Sequence, residues 1–129
     1  MIKDYKDLIV WQKALAVVSD IADLIELLPP GSVTDIIGKQ IISSSTSVCA
    51  NIAEGHSSGS SNEFNRILKI AYREAKETDN WIQVIKKVKK YHKNIILNTV
   101  NKIESDNLVV IKMLSALRKK IDDISTQEK

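Results

Sequence analysis

Apolar residues recur along this chain every three to four positions in four long stretches, with no sustained alternation of period two. In the first, Leu8, Trp11, Leu15, Val18, Ala22, Ile25 and Leu28 form a stripe that Pro29 and Pro30 bring to a stop. The second opens at SVTD, where Ser32 is placed to cap and Asp35 stands at the capping-box position. It carries Ile37, Ile41, Ser45, Val48 and Ile52 to Gly55, which reads as the left-handed residue that closes a helix. The third opens at SSNE, with Ser60 as N-cap and Glu63 three residues on, and carries Phe64, Leu68, Ala71, Ala75, Thr78, Ile82 and Ile85 to Val88. The fourth has a heptad-like seam of Ile96, Val100, Ile103, Asn107, Val110, Leu114, Leu117 and Ile121, with Asn107 as its polar interruption. The pattern predicts helices over 7–28, 33–54, 61–91 and 95–122 and a disordered tail over 124–129. Joined by short turns, these make an all-α antiparallel up-and-down four-helix bundle, one domain over 1–129.

Helix one has more apolar surface than one core requires. Its polar residues Gln12, Lys13, Ser19, Asp20, Asp23 and Glu26 span only about 140° of the helical wheel, leaving an apolar arc of about 220° where about 100° serves a single core. Val10, Val17, Ile21 and Leu24 fall partly off its main stripe, and LVVI at 108–111 gives helix four the same excess. The expectation is a homo-oligomer, with Val10, Val17, Ile21, Leu24, Leu108 and Val109 as interface candidates. The alternative is a wide bundle core that absorbs the extra width.

Charge adds a second feature. The net charge of +3 is unevenly placed: residues 1–59 carry 4 basic and 7 acidic side chains, residues 60–93 carry 9 and 4, and residues 94–129 carry 6 and 5. The excess is densest in KKVKKYHK at 86–93, where Lys86, Lys89, Lys90 and Lys93 recur at the spacings of one helix face. Such a face fits phosphate contact with RNA or DNA, and it equally fits a solvated helix end. The N-terminal MIKDYKDLIVW lacks an apolar signal region, no segment approaches a membrane span, and the single Cys49 suits a reducing compartment. These features point to a cytoplasmic protein with no membrane partner.

Chemistry is harder to find. GHSSG at 55–59 matches G-x-S-x-G, but a nucleophile elbow needs a strand before the serine, and here a helix ends just before and another begins just after. Only His92 lies downstream as a base for Ser57. A di-metal bundle site needs Glu-x-x-His pairs, and the residues three before His56 and His92 are Ala53 and Lys89. Neither metal nor cofactor is expected, nor a small-molecule substrate, and no residue is assigned a catalytic role. Cys49 reads as a small buried hydrophobe. ISSSTSV at 42–48 is poor helix material whose small side chains let a neighbouring helix approach closely. Trp11 and Trp81 read as core or interface packing residues, with stacking on a base as the alternative for Trp81. Glu54, in the last turn of helix two, opposes the macrodipole and calls for Arg66 or Arg73 as partner, within or between subunits. Asn51 reads as a helix-end hydrogen-bonder, to backbone across the turn.

Four stretches together carry a resemblance: DLIVWQKA at 7–14, QIISSSTSVCANIAEG at 40–55, NEFNRILKIAYREAKET at 62–78 followed by Trp81, and IKMLSALRKKI at 111–121. They resemble the bacterial four-helix-bundle proteins encoded in intervening sequences of 23S ribosomal RNA genes, also labelled S23-like. The resemblance implies a homopentameric ring without established catalytic activity. It also implies kinship with the accessory variability protein of diversity-generating retroelements, a basic bundle that works with a reverse transcriptase and its RNA. This chain departs from the pattern at Ile42 and Ser43, where members carry two arginines, and at Ser57, Ser58 and Ser61, where members carry basic residues. The resulting expectation is a non-enzymatic oligomeric module that contacts nucleic acid. The alternative is a structural or protein-binding adaptor without a nucleic-acid role.

Overall fold

The computed structural model describes residues 3–128, with side chains described through Ile124. Among the described residues it holds four long helices and two 3₁₀ turns, and no strand: Tyr5–Asp7, α1 (Ile9–Leu27), α2 (Ser32–Ser57), α3 (Ser61–Lys87), Lys89–Tyr91 and α4 (Asn94–Glu128). Each helix packs on its neighbours in sequence, and α1 closes the bundle against α4. The pairings run antiparallel: along α2 and α3, Gly55 meets Phe64 while Ser44 meets Thr78, and along α3 and α4, Asn65 meets Asp122 while Lys86 meets Glu104. Among the described residues no helix is long and apolar enough to cross a membrane.

Helix ends differ from the sequence expectation at several places, among them α3, which stops at Lys87 and not at 91. Ser32 is the first residue of α2 and Gly31 its N-cap, without a capping side chain. Gly55 does not end α2, which continues to Ser57; the glycine with left-handed backbone is Gly59, at φ 76° in the turn to α3. There Ser60 caps α3 as expected, accepting from the Glu63 amide at 3.3 Å. α4 outlasts the expected 95–122 and stays helical over 124–128, where a disordered tail was expected; residue 129 lies outside the described residues. Neither glycine nor proline follows Ile121 to break the helix.

The register of α1 also differs. Its buried residues are Val10, Ala14, Val17, Ile21 and Leu24, so four of the six interface candidates lie in the chain's own core: Val10, Val17, Ile21 and Leu24 are at most 4% exposed. A 220° arc contains two overlapping stripes of three-four spacing, and its centre is chosen only when helices dock on both flanks. Here α2 and α4 seat α1 on the Val10–Leu24 line. Trp11, Val18 and Ile25 are left half-buried, with Ile25 lying over Gly38. The wide-core alternative therefore accounts for most of the excess on α1. Leu108 and Val109 do remain outside, at 47% and 43% exposed.

The core is aliphatic except for Tyr91 and Thr34 at one end and a polar layer near its middle. The hydroxyls of Ser44 and Thr78 hydrogen-bond at 2.8 Å between α2 and α3, and Asn107 donates from α4 to the Ala75 carbonyl at 3.0 Å. All three side chains are buried, and sliding either helix by a turn leaves buried polar groups unpaired, so the layer fixes register. Small residues bring α2 and α3 together, as ISSSTSV suggested for Ser44 and Ser45. Gly55 is the tightest point: a Cβ there would lie 2.9 Å from Phe64 Cδ1 and 3.3 Å from Ile67 Cβ.

That contact sets up a test with opposed expectations. Helix propensity alone favours Gly55→Ala by about 0.8–1 kcal/mol, whereas overpacking costs about 1–3 kcal/mol. The steric term should win, lowering the urea midpoint by the equivalent of about 1 kcal/mol. A raised midpoint would show that α2 and α3 do not approach so closely.

Candidate nucleic-acid interface

The lysine-rich stretch forms the turn between α3 and α4, at the bundle end that also holds the α1–α2 turn. Its shape follows from Tyr91. Nine residues after the fully buried Ile82, a continued helix would place Tyr91 about 180° around the wheel, facing water. The chain instead leaves the helix at Val88 and makes one 3₁₀ turn, which puts Tyr91 inside at 0% exposure. Thr34 donates its hydroxyl proton to the Pro29 carbonyl at 2.6 Å, so the Tyr91 hydroxyl, 2.5 Å from Thr34 Oγ1, is the donor to Thr34. Tyr91 thereby ties the α3–α4 turn to the start of α2 and to the α1–α2 turn. His92 braces the turn from outside, its Nε2 2.9 Å from the Lys86 carbonyl.

Because α3 stops at Lys87, the four candidate lysines do not share one helix face, contrary to expectation. Lys86 is half-buried and paired with Glu104, Nζ to Oε1 at 3.0 Å. Lys89, Lys90 and Lys93 are exposed, and Lys87, missed in the sequence reading, joins them. Among the described residues no carboxylate pairs with any of these four. The Lys90 ammonium lies 5.4 Å from the Tyr91 ring centroid and reaches across to Gly31. Two helices begin at this end and two finish there, so their macrodipoles largely offset one another and the lysines set the sign of the local field. Tyr91 and Thr34 were also not foreseen; a lone aromatic within a lysine run at a helix end was the available signal.

At the opposite end the other singled-out residues take structural roles. Arg66 binds Glu63 one turn away, Nε to Oε1 at 3.0 Å, rather than Glu54. Glu54 and Arg73 are exposed and form no ion pair among the described residues; Glu54 acts on Arg66 through charge alone, without the direct pair expected. Asn51 donates to the Ser47 carbonyl at 2.8 Å, inside α2 and not across the turn. Ser57 is the exposed last residue of α2, and the neighbouring His56 ring meets Phe64 edge-on at 5.9 Å. Burial pushes the Cys49 thiol up to about 11, which keeps it protonated and unreactive near neutral pH.

A family model described as 23S rRNA-intervening sequence protein matches residues 6–116. The chain belongs to that family. The 23S rRNA-intervening sequence protein match takes in VWQKA, NIAEG and the EFNRILKIA that opens α3, and ends within the last of the four stretches on which the resemblance stood, IKMLSALRKKI at 111–121. A crystal structure of a protein with unknown function from the S23 ribosomal protein family, from Bacteroides thetaiotaomicron VPI-5482, is 29% identical and superposes with a TM-score of 0.75. The similarity covers 86% of this chain and 99% of that one. No curated protein matches the chain.

The Lys86–Glu104 pair yields a pH-dependent expectation. The Gln83 amide, and after it Lys86, hold the Glu104 carboxyl below its ordinary range. A depressed folded-state value means the stabilisation is present above the unfolded carboxyl's pKa and disappears as pH falls through the depressed one. Glu104→Gln should therefore cost about 0.5 kcal/mol at pH 7, typical of a solvent-accessible pair, and progressively less in acid. Urea titrations of both proteins across this range should converge as pH falls; a constant gap would mean that ionised Glu104 contributes nothing.

Proposed function

We propose that the protein is a non-enzymatic, self-associating interaction module of the cytoplasm that contacts RNA or DNA through phosphate. The observation carrying this reading is the group of exposed, unpaired lysines Lys87, Lys89, Lys90 and Lys93 around the Tyr91 turn. Released counterions make such contacts favourable at low salt, and assembly multiplies weak contacts into useful affinity. A non-enzymatic role is supported by the separation of Ser57 from His92: they lie at opposite ends of α3, whose 27 residues span about 40 Å.

Self-association is supported by apolar side chains that the bundle leaves outside. Ile9 and Leu27 of α1 and Ile95 and Val109 of α4 are exposed, and a groove of about 350 Å³ lined by Leu8, Ile9, Val10, Met113 and Leu117, with Asp7 and Lys120 at its charged edges, runs between the start of α1 and α4. The homopentameric ring implied by the family resemblance is the assembly proposed. The same exposed aliphatic residues favour a second reading, a structural or protein-binding adaptor without nucleic acid.

Two measurements separate these readings. Filter-binding titrations of mixed RNA should show binding at 50 mM salt that weakens steeply as salt rises; absent or salt-insensitive binding would leave the adaptor reading. Light scattering at micromolar concentration should report a species larger than a monomer, and a strictly monomeric protein would remove self-association from both readings.

A further inference from the structure

We infer that the lysine end docks on the sugar–phosphate backbone of a nucleic-acid duplex and does not read the unstacked bases of a single strand. This rests on the nucleic-acid reading above. Proteins that hold single strands offset the lower charge density with aromatic platforms, each stacked base adding about 1–3 kcal/mol. The Tyr91 ring cannot serve as such a platform: it is fully buried, its hydroxyl is bonded to Thr34, and the Lys90 ammonium lies against its ring. The exposed ring beside it, His92, is held by the Lys86 carbonyl. What faces outward is an array of ammonium groups on a turn made rigid by Tyr91, which suits the regularly spaced phosphates of a duplex.

An anionic lipid surface is the competing polyanion, since Leu27 of α1, Val33 and Ile36 of α2 and Ile95 of α4 are exposed at this end. They sit at the ends of three helices whose long apolar faces, with Leu24, Ile41 and Val100 among them, are buried in the bundle core. None of these three helices is therefore free to lie flat in a membrane interface and insert an apolar face along its length. The observations favour the duplex.

The test uses the full chain with 20-base-pair duplexes of RNA and of DNA, the corresponding single strands, and phosphatidylglycerol–phosphatidylcholine vesicles. Three to four lysine–phosphate contacts in one engaged subunit predict a log–log salt slope near about −3, a loss of about 40- to 150-fold between 50 and 200 mM salt. Both duplexes should bind more tightly than their strands. Lys89→Ala/Lys90→Ala/Lys93→Ala should remove most of the slope, while Lys112→Ala/Lys119→Ala/Lys120→Ala, an equal loss of charge on α4, should leave it nearly intact. Glu104→Gln, which frees Lys86 without truncating a lysine, should strengthen duplex binding, and His92→Ala, which removes a brace of the turn, should affect duplex and single-strand binding by the same factor.

Single strands bound as tightly as duplexes, or weakened by His92→Ala tenfold more than duplexes are, would overturn the duplex inference while sparing the nucleic-acid reading. Equal losses in the two lysine triples would overturn the site. Vesicles that bind and displace the duplex would transfer the surface to lipid. Binding to none of the nucleic acids at 50 mM salt would remove the nucleic-acid reading itself.

Discussion

The burial of Tyr91 governs one end of this bundle. A large ring with a polar tip enters the core only when that tip finds a partner, and Thr34 provides it. The requirement ends α3 after Lys87, because a continuing helix would swing the ring outward. From this one contact follow the 3₁₀ turn, the joining of the two inter-helix turns, and the outward placement of the lysines. An interaction inside the core thus shapes what the surface offers to a partner.

The helices themselves were legible because their signals are local. Two prolines after Leu28 and the Ser60–Glu63 cap act within a few residues, and the structure has helix boundaries at both. The centre of the buried face on α1 was not legible, since it depends on the directions from which α2 and α4 dock. Gly55 illustrates a different ambiguity. Glycine serves both a left-handed backbone and a close approach, and a sequence does not say which; here Gly59 takes the first role and Gly55 the second.

The candidate interface was half legible for a related reason. Lysine density located the patch, but inferring a shared face from spacing assumed an unbroken helix. Tertiary contacts then redistributed the charges: Glu104, 18 residues downstream of Lys86, pairs with it, while Lys87 is left exposed. Glu54 shows the same limit. A helix-end carboxylate suggested a cation on the next helix, yet Arg66 has a nearer acid in Glu63 that costs less chain entropy to engage.

The unequal helix lengths carry a mechanical consequence. α4 has 35 residues against 19 in α1, a difference of roughly 24 Å along the axis. α1 begins beside Met113, Leu117 and Lys120, so the last turn of α4 up to Ile124 lies beyond the start of α1 and keeps the Asn65–Asp122 bond to α3. Amide exchange should consequently be graded along α4, fastest in this distal turn and slowest through the polar layer around Asn107, so that the bundle unzips from the end remote from Tyr91.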